Sequence, residues 1–167
     1  MLTSQTRLGD LALAATTAEK TLAAAEKLGD DETLAMTRTN VAFYYAEIGD
    51  IVRATRMFEQ QVALCQKIGN LYGETVGRVN LGYNYAHLGL YSLSGRMLEK
   101  ALDSSAKIGA RRLNAFARYN YALARWREGD YDQAKPLVTG AFQDLARIGD
   151  AFGVAAGFSY HALILEF

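Results

Sequence analysis

The chain has 167 residues, half of them hydrophobic, with a single proline and no net charge at neutral pH. This is enough chain for one domain with a substantial core, and one proline leaves room for long unbroken helices. Zero net charge argues against nucleic acid or an anionic membrane as the main partner; the lone cysteine, Cys65, excludes an internal disulfide and no Cys/His cluster suggests zinc.

From Met1 to Asp10 no basic stretch leads into an apolar one, and no apolar run anywhere approaches the ~18 residues of a membrane span. No signal peptide and no membrane partner are therefore expected, and the default setting is cytoplasmic. Glycine then punctuates the chain at one constant interval, at Gly9, Gly29, Gly49, Gly69, Gly89, Gly109, Gly129 and Gly149. Most of these glycines are followed by a capping residue: Asp10, Asp30, Asp50, Asn70, Asp130 and Asp150. Glycine supplies the left-handed conformation that ends a helix, and Asp or Asn supplies the oxygen that caps the next. Stop and start signals side by side predict helices of about 18 residues, ~27 Å long, joined by about two residues and hence antiparallel. Lys27, Lys67, Lys107 and Arg147 stand where they suit the negative end of a helix dipole. Leu90 and Ala110 break the capping pattern, with Ser92 as a late substitute for the first.

A slower period, twice the glycine interval, is superimposed. Asn40, Asn80 and Asn120 recur in the helices 31–48, 71–88 and 111–128, the inner helices; 10–28, 51–68, 91–108 and 131–148 are the outer ones. Residues 1–8 read as the end of an inner helix, 31–69, 71–109 and 111–149 as complete repeats, and 151–166 as a further inner helix, all in one continuous array. Small residues recur where axes must approach: Ala42, Gly82, Ala122 and Ala162 on inner helices, Ala14, Ala54, Ser94 and Ala134 on outer ones. Arg38 and Arg78, two positions before Asn, are expected to meet Glu59 and Glu99, whereas Arg118 faces Thr139 and needs another partner. Pro136, inside an outer helix with Gly140 one turn on, predicts a local bend.

Leu81-Gly82-x-x-Tyr85 and Ala54-x-x-x-Phe58 carry a known pattern. On these residues the chain resembles the tetratricopeptide repeat, in the longer variety, of about 40 residues, seen in large bacterial signalling regulators and kinesin-light-chain-like adaptors. Arg38, Arg78 and Arg118 stand at the family's Trp position, and Arg125 replaces the Tyr of Tyr45 and Tyr85. The resemblance implies an all-α, right-handed superhelical solenoid of antiparallel helix pairs whose inner helices line a concave groove. Helical geometry then selects the residues that share the Asn face. Met36, Thr39, Phe43, Ala46 and Glu47 accompany Asn40; Val76, Val79, Tyr83, Ala86 and His87 accompany Asn80; Phe116, Tyr119, Leu123, Trp126 and Arg127 accompany Asn120.

The expected groove is aromatic, with one amide per repeat and a Glu47, His87, Arg127 series along one edge. An amide both donates and accepts, so it can hold a peptide backbone; the competing role for the Asn column is a hydrogen bond between helices. No nucleophile–base pair, phosphate-binding glycine loop or metal set is present, so no catalytic, cofactor or metal residue is assigned and no enzyme is expected. The reading is a scaffold that binds a protein or peptide; the alternative is a regulatory or sensory piece of a larger bacterial signalling protein, of transcription-regulator or cyclase/ATPase type. The nearly uncharged helix 151–166 should expose Phe158, Leu163 or Leu165, which points to self-association there or to covering by further chain.

Overall fold

The computed structural model describes residues 11–165, without the side chains of 11, 12, 156, 159–161 and 165. The expected helix over 1–8, the Gly9–Asp10 joint and Glu166 lie outside the described residues, as do the side chains of His161 and Leu165. Among the described residues the secondary structure is a succession of α-helices: α1 (Leu11–Leu28), α2 (Asp31–Glu47), α3 (Ile51–Lys67), α4 (Leu71–His87), α5 (Tyr91–Lys107), α6 (Arg111–Glu128), α7 (Tyr131–Arg147) and α8 (Ala151–Leu165). The even-numbered helices are the inner ones. No described helix is long and apolar enough to cross a membrane.

The joints show why the chain turns at every punctuating glycine. All seven that are described have positive φ, between 67° at Gly109 and 85° at Gly129. At the joint after α2, the Gly49 N–H donates to the Ala46 carbonyl and the Asp50 N–H reaches back to Tyr45 O at 2.8 Å, satisfying carbonyls the helix end leaves open. Asp50 then turns to the next helix: its carboxylate accepts from the Arg53 N–H at 3.0 Å, and its carbonyl accepts from Ala54. One residue closes one helix and opens the next, which is why so short a joint suffices. Asp30, Asn70, Asp130 and Asp150 cap in the same way. Leu90 and Ala110 offer no side-chain cap; Ser92 falls inside α5 and does not replace one.

The chain divides into two compact units, Met1–Gly77 and Arg78–Phe167, with the boundary inside α4. In the first, Ala14, Ala18, Val41 and Tyr44 form one buried cluster between α1 and α2, and Ala35, Leu64 and Cys65 form another between α2 and α3. In the second, Tyr119, Val138, Leu145 and Ile164 join α6, α7 and α8, while Leu98, Ala101, Ala117 and Tyr121 join α5 to α6. The small-residue columns are at the closest approaches: Ala14, Ala42, Ala54, Ser94, Ala122 and Ala134 are fully buried. Gly82 and Ser94 face each other so closely that the Ser94 hydroxyl donates to the Gly82 carbonyl at 2.7 Å. Ala162 departs from its column and is exposed.

Arg38 does not meet Glu59 as the register predicts, and Arg118 finds the partner that the register left open. Arg38 stands 4.0 Å from Glu26 of α1. Arg118 pairs with Asp144, more than one turn beyond Thr139, and Gly140 makes the space: a Cβ there would stand 2.9 Å from the guanidinium. Gly140 is therefore a packing residue as well as a weak helix former. In the third repeat Arg125, which replaces the tyrosine, stacks on the Tyr121 ring at 4.8 Å and bonds its hydroxyl at 2.6 Å. That hydroxyl donates in turn to Glu99 at 2.6 Å. Helix α7 continues through Pro136 without interruption.

Candidate functional site

The Asn face is present in both units, and in each it separates into two stripes. In the first unit Met36, Asn40, Phe43 and Glu47, at one-turn spacing along α2, are all exposed. Phe43 is steadied from below by the buried Phe58 of α3, ring edge to ring face at 5.4 Å and 80°. Beside this stripe lies a cavity of about 330 Å³, with Met36, Thr39 and Asn40 on one side and Tyr72 and Val76 of α4 on the other. Met36 is 63% and Tyr72 60% exposed, so the rim carries two large apolar side chains open to solvent. Gln61 and Cys65 of α3 form its buried lining; the Gln61 amide donates to Gly73 O at 2.9 Å and to the Cys65 sulfur at 3.1 Å. Burial raises the Cys65 pKa, so the thiol stays protonated and acts as a packing group.

Gln61, Cys65 and Tyr72 were not legible as lining. The available signal was Gly73 and Gly77, one turn apart on α4. A Cβ on Gly73 would meet the Cys65 sulfur at 2.7 Å, and one on Gly77 would meet Gln61 and Val62. These glycines seat α4 against α3 and bring the cavity walls together.

In the second unit the open stripe is Asn80, Tyr83 and His87 on α4, with Phe116, Asn120 and Arg127 on α6, all but the exposed His87 half-buried. The Tyr83 and His87 rings lie 4.2 Å apart. Partial loss of water around His87, and then the nearby Arg127 charge, lower its pKa, so the imidazole is neutral at pH 7. Two of the expected groove donors are engaged with the protein itself. The Asn120 amide donates to Val79 O at 3.3 Å, and Arg127 donates to Ala86 O at 2.9 Å. Both bonds tie α6 to α4, so the inter-helix role of the Asn column is realised at Asn120. Arg127 sits at the carbonyl end of α4, where a cation is favoured.

Tyr119 belongs to the core rather than to the open face. It is 2% exposed, and a Cβ on Gly157 of α8 would fall on its ring. Among the described residues its hydroxyl has no hydrogen-bond partner, and burial raises its pKa. Trp126 is half-buried and packs on the same cluster. Val79, Ala86 and Leu123, also expected on the Asn face, are buried and belong to the core.

No protein-family model matches the chain, and no curated protein matches it. Solved structures do. BtubC (BKLC) from P. vanneervenii superposes with a TM-score of 0.77 at 15% identity, over 99% of this chain and 74% of that one. A signal transduction ATPase with numerous domains, carrying a tetratricopeptide repeat sensor, from Pyrococcus horikoshii gives 0.83 at 18% identity, over 98% of this chain but 25% of that one. A Podosopora anserina putative kinesin light chain of nearly identical repeats gives 0.79 at 17%, over 99% and 82%. With helices packed in consecutive pairs and glycine joints at one constant interval, the chain has the tetratricopeptide-repeat fold.

Proposed function

We propose that this chain is a binding scaffold whose inner-helix face holds an extended peptide segment of a partner protein. The observation that carries the reading is the cavity of about 330 Å³ in the first unit, beside Asn40. Exposed Met36, Phe43 and Tyr72 around an amide are the composition of a recognition surface: apolar area from the large side chains, backbone pairing from Asn40. In the second unit Asn80, Tyr83, His87, Asn120, Trp126 and Arg127 offer the same kinds of group, and the Arg127 charge suits an acidic side chain or C-terminus.

Asn40 separates recognition from stability better than Asn120, because it is exposed whereas Asn120 bonds Val79. For a peptide selected from a random library on the whole chain, Asn40→Ala and Phe43→Ala should each weaken binding roughly tenfold, the loss of one good contact. Their melting temperatures should move by only a few degrees. Unchanged affinity in both variants would remove the groove assignment.

A second reading, a sensory module of a longer signalling protein, is supported by the similarity to the sensor-bearing ATPase, of which the chain spans a quarter. Self-association through α8 is supported by Phe152, Phe158 and Leu163, all exposed. Sedimentation should then depend on concentration; a monomer at every concentration would refute it.

A further inference from the structure

The repeat allows equivalent helix-end positions to be compared, and in the third repeat they carry two like charges. In the first repeat Asp31, which opens α2, pairs with Lys67 at the end of α3, N to O 2.7 Å. Two repeats on, the same two positions are Arg111 and Arg147. Two guanidiniums therefore stand where the first repeat brings opposite charges into contact and the second has Leu71 and Lys107. They line a cavity of about 590 Å³ together with Arg118, Asn114, Asp144 and Gly109.

Within that cavity three arginines face one carboxylate. Asp144 takes Arg118 and, at 2.8 Å, Arg147; these contacts hold its carboxyl below the usual range, the Arg118 hydrogen bond most of all. Arg111 makes no ion pair among the described residues, and the Arg118 Nε is buried without a hydrogen-bond partner. The Asn114 amide donates to Ser105 Oγ at 2.9 Å and to Leu102 O, which fixes the wall on that side. The first turn of α6 also lines the cavity, and here the chain omits its own anion: Ala110 occupies the position of Asp30, Asn70 and Asp150 and has no capping oxygen.

We propose that this cavity, at the joint between α5 and α6 beside the end of α7, is a binding site for a phosphoryl dianion. Two positive charges remain after Asp144 is counted, which matches a dianion better than a carboxylate. Guanidinium forks bind phosphoryl oxygens in pairs. The volume exceeds that of a phosphate alone, leaving room for the group that carries it, whether a phosphorylated side chain or a small phosphate ester.

The test is calorimetric titration of the whole chain with inorganic phosphate at constant ionic strength, chloride being the balancing anion. Saturable binding is expected. Arg111→Asp restores the opposite-charge pairing of the first repeat, so it should fold at least as stably in chloride and bind phosphate at least about tenfold more weakly. If that variant does not fold, Arg147→Gln should show the same loss. Adenosine monophosphate and a phosphoserine peptide, each against its unphosphorylated counterpart, distinguish the two sources: the tighter phosphorylated probe identifies the carrier. No phosphate binding beyond chloride, unchanged affinity in the variant, or equal binding of the unphosphorylated probes would overturn the proposal.

Discussion

Replacing Gly82 with valine should destabilise the second unit by roughly 3 kcal/mol, the upper part of the range for overfilling a packed core. A Cβ on Gly82 would overlap Cγ of Leu98 and lie 2.5 and 2.9 Å from its two methyl carbons. Leu98 is fully buried, so it has nowhere to retreat without disturbing Val79 and Ala101 around it. The Ser94–Gly82 hydrogen bond would be strained by the same displacement. Gly95, one turn before Leu98 on α5, supplies the contrast. The nearest atom to its Cβ position is 3.6 Å away, on Tyr121, so nothing must move. Gly95→Ala should therefore be neutral or stabilising by up to ~1 kcal/mol, the helix preference of alanine over glycine. Chemical denaturation of the two variants should give opposite signs; a loss for Gly95→Ala as large as for Gly82→Val would contradict the packing described.

Gly129→Val should cost roughly 1–3 kcal/mol for a different reason. No atom lies within 4 Å of its Cβ position, so space is not at issue. Its φ of 85° and ψ of 6° are the obstacle, because a β-branched side chain does not tolerate that region. Gly129→Asn should lose much less, since asparagine enters the left-handed region more readily. A thermal melt in which valine and asparagine are equally harmless would count against the glycine joint as the source of the regular punctuation.

Among the described residues the helices, their joints and the pairing of neighbours were legible because each is set by residues adjacent in sequence. Gly49 and Asp50 between them carry the whole stop-and-start signal, and local geometry leaves little else for them to do. The site was legible only as a face. A helical wheel places Met36, Asn40 and Phe43 on the open side, but it cannot say which edge of that face a neighbouring helix covers. Tyr119 is covered because Gly157, far along the chain, lets α8 lie against its ring. Arg127 is engaged because Ala86 O happens to end α4 beside it. Arg38, expected opposite Glu59, likewise stands beside Glu26 of α1. Arg118, which a register count leaves facing Thr139 without a partner, finds Asp144 because Gly140 opens a path for its long side chain.

The most direct measurement of partner binding to the inner-helix face is an amide and side-chain NMR map of the labelled chain, titrated with a library-selected peptide. The expected result is perturbation concentrated at Met36, Asn40, Phe43 and Tyr72 in the first unit, with Tyr83 and His87 responding in the second. Arg56 and Gln60, exposed on α3, should stay unchanged. Perturbation confined to the outer helices, with Met36, Asn40 and Phe43 silent at saturation, would contradict it.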